Sequence, residues 1–257
     1  MARIFITGSS DGIGQAAAKV LADQGHSVVL HARNADRATS AHKAVPKAEA
    51  VLVGDLRLMS EIRKLAEQAN SLGNGTFDTI IHNAGIGYGG TSSREITSDK
   101  LSAVFAVNTL APYMLTCLMK KPTSRLLYMS SDSHYGGDET LRSVTQSHSY
   151  SDSKLHDMML ANAFSRRWGD HIQVVSMHPG WVRTKMGGSM APGGMDKPAK
   201  ALAEWATGQG KLAALKTGSF FTPRGEETPH PGAGNVKKQE ELLNICREVS
   251  GVSVPGE

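Results

Sequence analysis

Only two cysteines, Cys117 and Cys246, occur in 257 residues, with no Cys-x-x-Cys pair and no Cys/His spacing of a metal finger. That scarcity argues against a disulfide framework or structural zinc, and a reducing compartment is the expected setting. No apolar run reaches the ~18 residues that a membrane-crossing helix needs, so no span is expected. The ten histidines form no His-Glu-x-x-His motif. Basic residues exceed acidic ones by four, yet no run of five or more Lys/Arg exists, and a nucleic-acid partner is not expected. The opening residues Met1 to Gly8 reach glycine before a secretory apolar core could form, which makes a cytoplasmic location the expectation.

A length of 257 residues with 40% hydrophobic content suits one soluble α/β domain over residues 1–257. Arg3 to Thr7 reads as a buried strand. It runs into Thr7-Gly8-Ser9-Ser10-Asp11-Gly12-Ile13-Gly14 and then an alanine-rich helix from Gln15 to Gln24. Strand, glycine loop and helix in that order aim backbone N–H groups and a helix N-terminus at a phosphate, although a plain glycine turn would look the same. A second strand, Ser27 to His31, is followed by a helix from Asn34 to Lys43 and a third strand that ends at Gly54-Asp55-Leu56. NAD-preferring dinucleotide folds carry an acid about 20 residues past the glycine loop. Here the second strand ends on Arg33 instead, which can pair with a 2′-phosphate or remain a solvated loop charge.

Further on, the pattern predicts a helix over Ser60–Ser71, a strand Phe77–His82 leading to Asn83-Ala84-Gly85, and a long helix from about Ser98 to Met119. Asn108 falls in the middle of that helix, where asparagine marks a polar task or a bend. The fifth strand, Arg125 to Met129, delivers Ser130-Ser131 at the edge where open α/β sheets bind ligands. Tyr150-Ser151-Asp152-Ser153-Lys154 opens the next helix and sets a phenol and an ammonium four residues apart on one face. A nearby cation favours phenolate, so the pair could act as a general acid/base near neutral pH. A sixth strand (Ile172–Met177) leads to His178-Pro179-Gly180. Then come a Gly/Met-rich segment 181–197 that could cover a pocket, a helix Pro198–Thr207, a last strand Ser219–Thr222, a turn-rich linker Glu226–Gly234 and a helix Lys237–Val249.

Taken together, Thr7-Gly8-x-x-x-Gly12-x-Gly14, Asp55, Asn83-Ala84-Gly85, Asn108, Ser131, Tyr150-x-x-x-Lys154 and Pro179-Gly180 with Thr184 resemble the short-chain dehydrogenase/reductase family over residues 3 to about 184. The resemblance implies a single Rossmann-type domain with a doubly wound parallel sheet of about seven strands. It implies hydride transfer between NADP(H) and a carbonyl or alcohol, with NAD(H) not excluded. Asn108, Ser131, Tyr150 and Lys154 would be the catalytic set: Tyr150 as acid/base, Lys154 lowering its pKa, Ser131 holding the substrate oxygen and Asn108 fixing a relay water. Gly8, Ser10, Asp11, Gly12, Ile13, Gly14, Arg33, Asp55, Leu56, Asn83, Ala84, Gly85, Pro179, Gly180, Val182 and Thr184 would hold the cofactor together with Tyr150 and Lys154. A homodimer or homotetramer through the helices around Asn108 and Tyr150 is also implied. The rival reading is a redox sensor that binds NADP(H) without turnover, which would have no need of Ser131, Tyr150 and Lys154 together.

Three positions depart from the family pattern. His82 stands where asparagine is usual, Asp11 where some NADP-preferring members have Arg or Lys, and Ser131 and Tyr150 lie 19 residues apart (150 − 131), more than is usual. The added stretch Asp132–Ser149 contains His134, Tyr135 and His148, and Tyr135 is a rival acid without a lysine four residues on. Ser131-Asp132-Ser133-His134, Tyr150-Ser151-Asp152-Ser153-Lys154-Leu155 and His178-Pro179-Gly180-Trp181-Val182-Arg183-Thr184 are similar to retinol-dehydrogenase-like members, which implies an apolar aldehyde, ketone or alcohol.

Overall fold

The computed structural model describes residues 1–87, 95–142, 144–146 and 149–256, which leaves His148 outside the described residues. The strands are β1 (Arg3–Ile6), β2 (Ser27–Ala32), β3 (Ala50–Val53), β4 (Thr79–His82), β5 (Arg125–Met129), β6 (Gln173–Met177), β7 (Phe220–Thr222) and β8 (Gly225–Glu227). They form one sheet in the order β3-β2-β1-β4-β5-β6-β7-β8. Every pairing is parallel except β7 with β8. The eighth strand was not expected: Glu226 and Glu227, read as the start of a linker, pair back across Phe221 and Phe220. The strand order reverses between β1 and β4, and the crevice at their C-terminal ends is where such sheets bind ligands.

Successive strand residues point to opposite faces, and both faces are buried. Phe5, Val29, Ile80, Leu126 and Val174 pack on one side. There they meet α3 (Met59–Ser71), α5 (Ala111–Leu118), α6 (Tyr150–Trp168) and α8 (Val236–Ser250). Ile4, Ile6, Val28, Leu30, Ile81, Leu127 and Val175 pack on the other, against α1 (Gly12–Asp23), α2 (Ala35–Ala44) and α7 (Asp196–Ala206). The alanines at 17, 18, 199 and 203 let α1 and α7 lie close to the sheet and to each other.

The long helix predicted from Ser98 starts later, as α4 (Ala103–Phe105), and passes through a π-helical segment, Ala106–Leu110, before α5. The reason lies just upstream. Thr97 donates to Leu101 O at 2.8 Å and Lys100 adopts φ 62°, so residues 97–101 form a turn. Asn108 sits inside the π segment, in line with a mid-helix asparagine that marks a bend and carries a polar task. At the C-terminus α8 lies across α6 and α5 and is clamped by Arg166 and Arg167 on Glu240. α8 therefore packs against α5 and α6, two of the helices through which oligomers were implied. Among the described residues no helix is long and apolar enough to cross a membrane.

One buried histidine fixes the loop that follows β1. His31, in β2, accepts a hydrogen bond from Gly8 N–H at Nδ1 (2.9 Å) and donates through Nε2 to Gly54 O (2.9 Å). A carbonyl can only accept, so this geometry needs the neutral ring with its proton on Nε2. Burial drives the His31 pKa down to about 4. The unfolded imidazole takes a proton near ~6.5, while the folded ring resists it until about 4. Acidification through that window therefore favours unfolding. His82, also buried, is pushed down to about 3 and adds to the same trend. Urea unfolding at pH 7 and pH 5 should show a loss of stability on acidification, and His31→Asn should shrink that loss by roughly 2 kcal/mol. An unchanged loss would show that His31 is not held neutral.

Candidate active site at the sheet's switch point

A cavity of about 550 Å³ runs across the C-terminal ends of β1, β4 and β5. At one end it is walled by the glycine loop: Gly8, Ser10, Asp11, Gly12 and Ile13. The loop can lie where it does because Gly8 has no side chain. A β-carbon there would sit 2.7 Å from Ala84 Cα. Asn83 closes the other side of this contact, with Nδ2 donating to Thr7 O (2.9 Å) and Gly8 O (3.1 Å). Gly14 lies behind the loop against Asn83 and does not face the cavity. Ala84, Gly85, Asp55 and Leu56 also line the wall.

Arg33, Arg37 and Arg57 gather beyond the loop, with Lys185 reaching in from segment 181–197. Arg37 was not anticipated. Asn34 caps α2 by accepting from Arg37 N at 3.0 Å, which places Arg37 in the helix's first turn, facing the loop. Its guanidinium pairs with Asp11 at 2.5 Å, and Lys185 pairs with the same carboxylate at 3.2 Å. Burial acts to raise the Asp11 pKa, but hydrogen bonds from Arg37 and Lys185 outweigh it and hold the carboxyl below its ordinary value. Asp55 is likewise held low, burial being outweighed by Arg57, whose Nη2 lies 2.6 Å away.

Tyr150 and Lys154 stand at the opposite end. A reciprocal cap starts their helix: Asp152 N donates to Ser149 Oγ and Ser149 N to the Asp152 carboxylate, each at 3.0 Å. The Lys154 ammonium lies 5.5 Å from the Tyr150 ring centroid, donating to Met129 O (2.7 Å) and Asp157 Oδ2 (2.8 Å). Gly87 packs against the tyrosine ring, and a β-carbon at that position would fall 2.6 Å from Tyr150 Cδ2. Asn108 is tied to the same cluster. Its Oδ1 accepts from Ile86 N (2.9 Å), and its Nδ2 donates to Ile86 O (2.9 Å) and Ser153 Oγ (3.0 Å). It braces the wall from behind, and the neighbouring Val107 lines it.

Ser131 sits one residue past the lining. Ser130 lines the cavity, while the Ser131 hydroxyl donates to Asp132 Oδ1 at 3.0 Å and accepts from Ser133 N at 3.2 Å in a local turn. Pro179 and Thr184 line the cavity; Gly180 and Val182 lie beside them without doing so. The Tyr135 hydroxyl donates to Thr228 O at 2.5 Å, which engages it away from the Tyr150–Lys154 pair. His82 is buried, with Nε2 on Thr116 Oγ1 at 2.9 Å, and serves as a hydrogen-bonding group in the wall behind the site.

Asp157 was also missed, although it follows Lys154 by three residues and so shares its helix face. A helical projection would have placed a carboxylate beside the ammonium. The glycine cradle, the α1 N-terminus and the arginine cluster together fit the pyrophosphate and phosphorylated ribose of a dinucleotide.

The family model for short chain dehydrogenase matches residues 2–193. An uncharacterized oxidoreductase of Emericella nidulans is 76% identical over 256 residues, covering 100% of both chains. Among solved structures, an uncharacterized protein from Mycobacterium paratuberculosis superposes with TM-score 0.80 at 23% identity, covering 99% of this chain and 95% of that one. An NADPH-bound carbonyl reductase from chicken fatty liver superposes with TM-score 0.69 at 23% identity, covering 89% and 99%. A family match over most of the length, joined to a near-full-length relative at this identity, makes the chain an oxidoreductase of the short-chain dehydrogenase/reductase family.

Proposed function

We propose that this oxidoreductase uses NADP(H) in preference to NAD(H) to interconvert a carbonyl and an alcohol on an apolar small molecule, with Tyr150 as the general acid/base. The observation that carries the reading is the sharing of one cavity of about 550 Å³ by two chemically distinct ends. The Tyr150 phenol and Lys154 ammonium stand at one end, and the glycine loop with Arg33 and Arg37 stands at the other. A bound nicotinamide dinucleotide would supply the hydride chemistry.

In reduction the Tyr150 hydroxyl donates its proton to the carbonyl oxygen; in oxidation the phenolate takes it back. Lys154 favours the phenolate by its positive charge. Asn108 and Ser153 hold the first turn of α6 through the Ser153 Oγ donation to Tyr150 O at 2.7 Å. Ser131 could orient the substrate oxygen only by giving up its donation to Asp132, so its role depends on that exchange. Ile86, Val107 and Met129 give the catalytic end an apolar wall, in keeping with an apolar aldehyde or ketone.

At the far end, Arg33 and Arg37 offer two planar forks to a 2′-phosphate, and no carboxylate closes β2 to hold an unphosphorylated ribose. The chicken carbonyl reductase that shares the fold binds NADPH, which agrees with this preference.

Tyr150→Phe should lower turnover by at least ~10² with little change in NADPH affinity. This is checked by following NADPH oxidation against a panel of aldehydes and ketones, alongside fluorescence titration of the cofactor. Full activity in the variant would remove Tyr150 from the chemistry. Arg33→Ala and Arg37→Ala should each raise the Kd for NADPH by about tenfold or more while moving that for NADH far less. Equal losses for both cofactors would make the two arginines bystanders.

A further inference from the structure

The lysine beside Tyr150 does not stand alone. Lys154 and Asp157 are both buried, 3% and 2% exposed, and their Nζ and Oδ2 atoms lie 2.8 Å apart. An ammonium has three N–H donors. One is committed to Asp157, behind the cavity wall, and another to Met129 O at 2.7 Å. With two acceptors fixed, one N–H is left for the cavity side, where Tyr150 stands.

An ammonium removed from water tends to give up its proton unless an anion compensates it. Asp157 supplies that anion. Burial alone would lower the Lys154 pKa, but the Asp157 carboxylate and Tyr150 outweigh it and hold it above the ordinary value. Burial conversely pushes Asp157 up to about 7, so the carboxylate in turn depends on the ammonium. The ionisable groups that face Asp157 are Lys154 on its own helix and, from β5, the Tyr128 phenol, which burial pushes far upward and keeps neutral. Asp157 does not line the cavity, and its contact with the acid/base pair is through Lys154.

We propose that Asp157 is a positioning residue for the acid/base pair: its carboxylate seats the Lys154 ammonium and keeps it charged, so that Tyr150 is exposed to a full positive charge. The inference rests on the reading of Tyr150 as the acid/base, and it has a sign that can be tested. A carboxylate acting directly on Tyr150 would disfavour phenolate, and removing it would lower the tyrosine pKa. Acting through Lys154, its removal does the opposite.

The test is a tyrosinate absorbance titration of the full-length protein without cofactor, with Tyr150→Phe subtracted to isolate Tyr150 from the other four of the five tyrosines. The wild type gives the reference Tyr150 transition. Asp157→Asn should move it upward by about one unit or more, tenfold in proton affinity. Adding Asp157→Asn to Lys154→Met should give no upward shift. A folded Asp157→Asn protein whose transition is unmoved or lowered overturns the proposal. Should that variant fail to fold by circular dichroism, Asp157→Ser carries the same comparison. Full turnover by Tyr150→Phe would sink the acid/base reading along with the inference. An inactive Tyr150→Phe protein, together with a Tyr150 transition that Asp157→Asn leaves in place, sinks the inference alone.

Discussion

A buried positive charge in the wall of the cavity is the constraint on which the site's architecture depends. Taking an ammonium out of water costs several kcal/mol unless its hydrogen bonds are replaced. Lys154 recovers them from Met129 O at the end of β5 and from Asp157 one turn along α6. Both contacts demand that strand and helix meet at a fixed height. Ser130 sets that height by donating to Lys154 O at 2.7 Å, which ties the residue after β5 to the helix backbone. The reciprocal cap at Ser149 and Asp152 fixes where the helix begins, and with it the direction of the Tyr150 side chain. Gly87 then lets the backbone at that position pack against the ring. Placement of the proposed acid/base pair and the satisfaction of a buried charge are here the same structural problem.

Much of this was legible in the chain, for identifiable reasons. β5 was placed at Arg125–Met129 because an uninterrupted apolar run between polar turns has few alternatives in a parallel sheet. The Tyr150–Lys154 face followed from helical spacing alone. Asn108 announced its irregular segment because a polar amide inside an apolar helix needs partners, and it has three. What escaped lacks local signal. β8 reads Gly-Glu-Glu, a poor strand sequence, and exists because β7 offers a free edge and because Ser219 and Thr222 donate to Glu226 and Glu227. Asp157 is the exception, since its spacing of three from Lys154 was a local signal that went unused. Arg37 and His31 lie in the same short region as Arg33, yet their roles depend on a loop more than twenty residues earlier in the chain.

The phosphate end shows how an apparent departure from the family pattern can be reconciled with the proposed cofactor. Asp11 places a carboxylate where an anion would be expected to bind, and its partners Arg37 and Lys185 are the cations such an anion would want. The pair is partly exposed, with the Lys185 side chain 78% and the Asp11 side chain 40% accessible. Exposed pairs of this kind contribute only about 0–1 kcal/mol. A phosphate dianion offers more charge and more acceptor oxygens than one carboxylate, so exchange of partners at Asp11 would cost little. Arg33 and Arg37 against Asp11 alone already leave one positive charge, and Lys185 makes it two. Asp11 therefore tempers the field at the loop without reversing its sign, and it links the glycine loop to segment 181–197 through Lys185. The charge that weakens a simple arginine count thus also orders the cations around the seat.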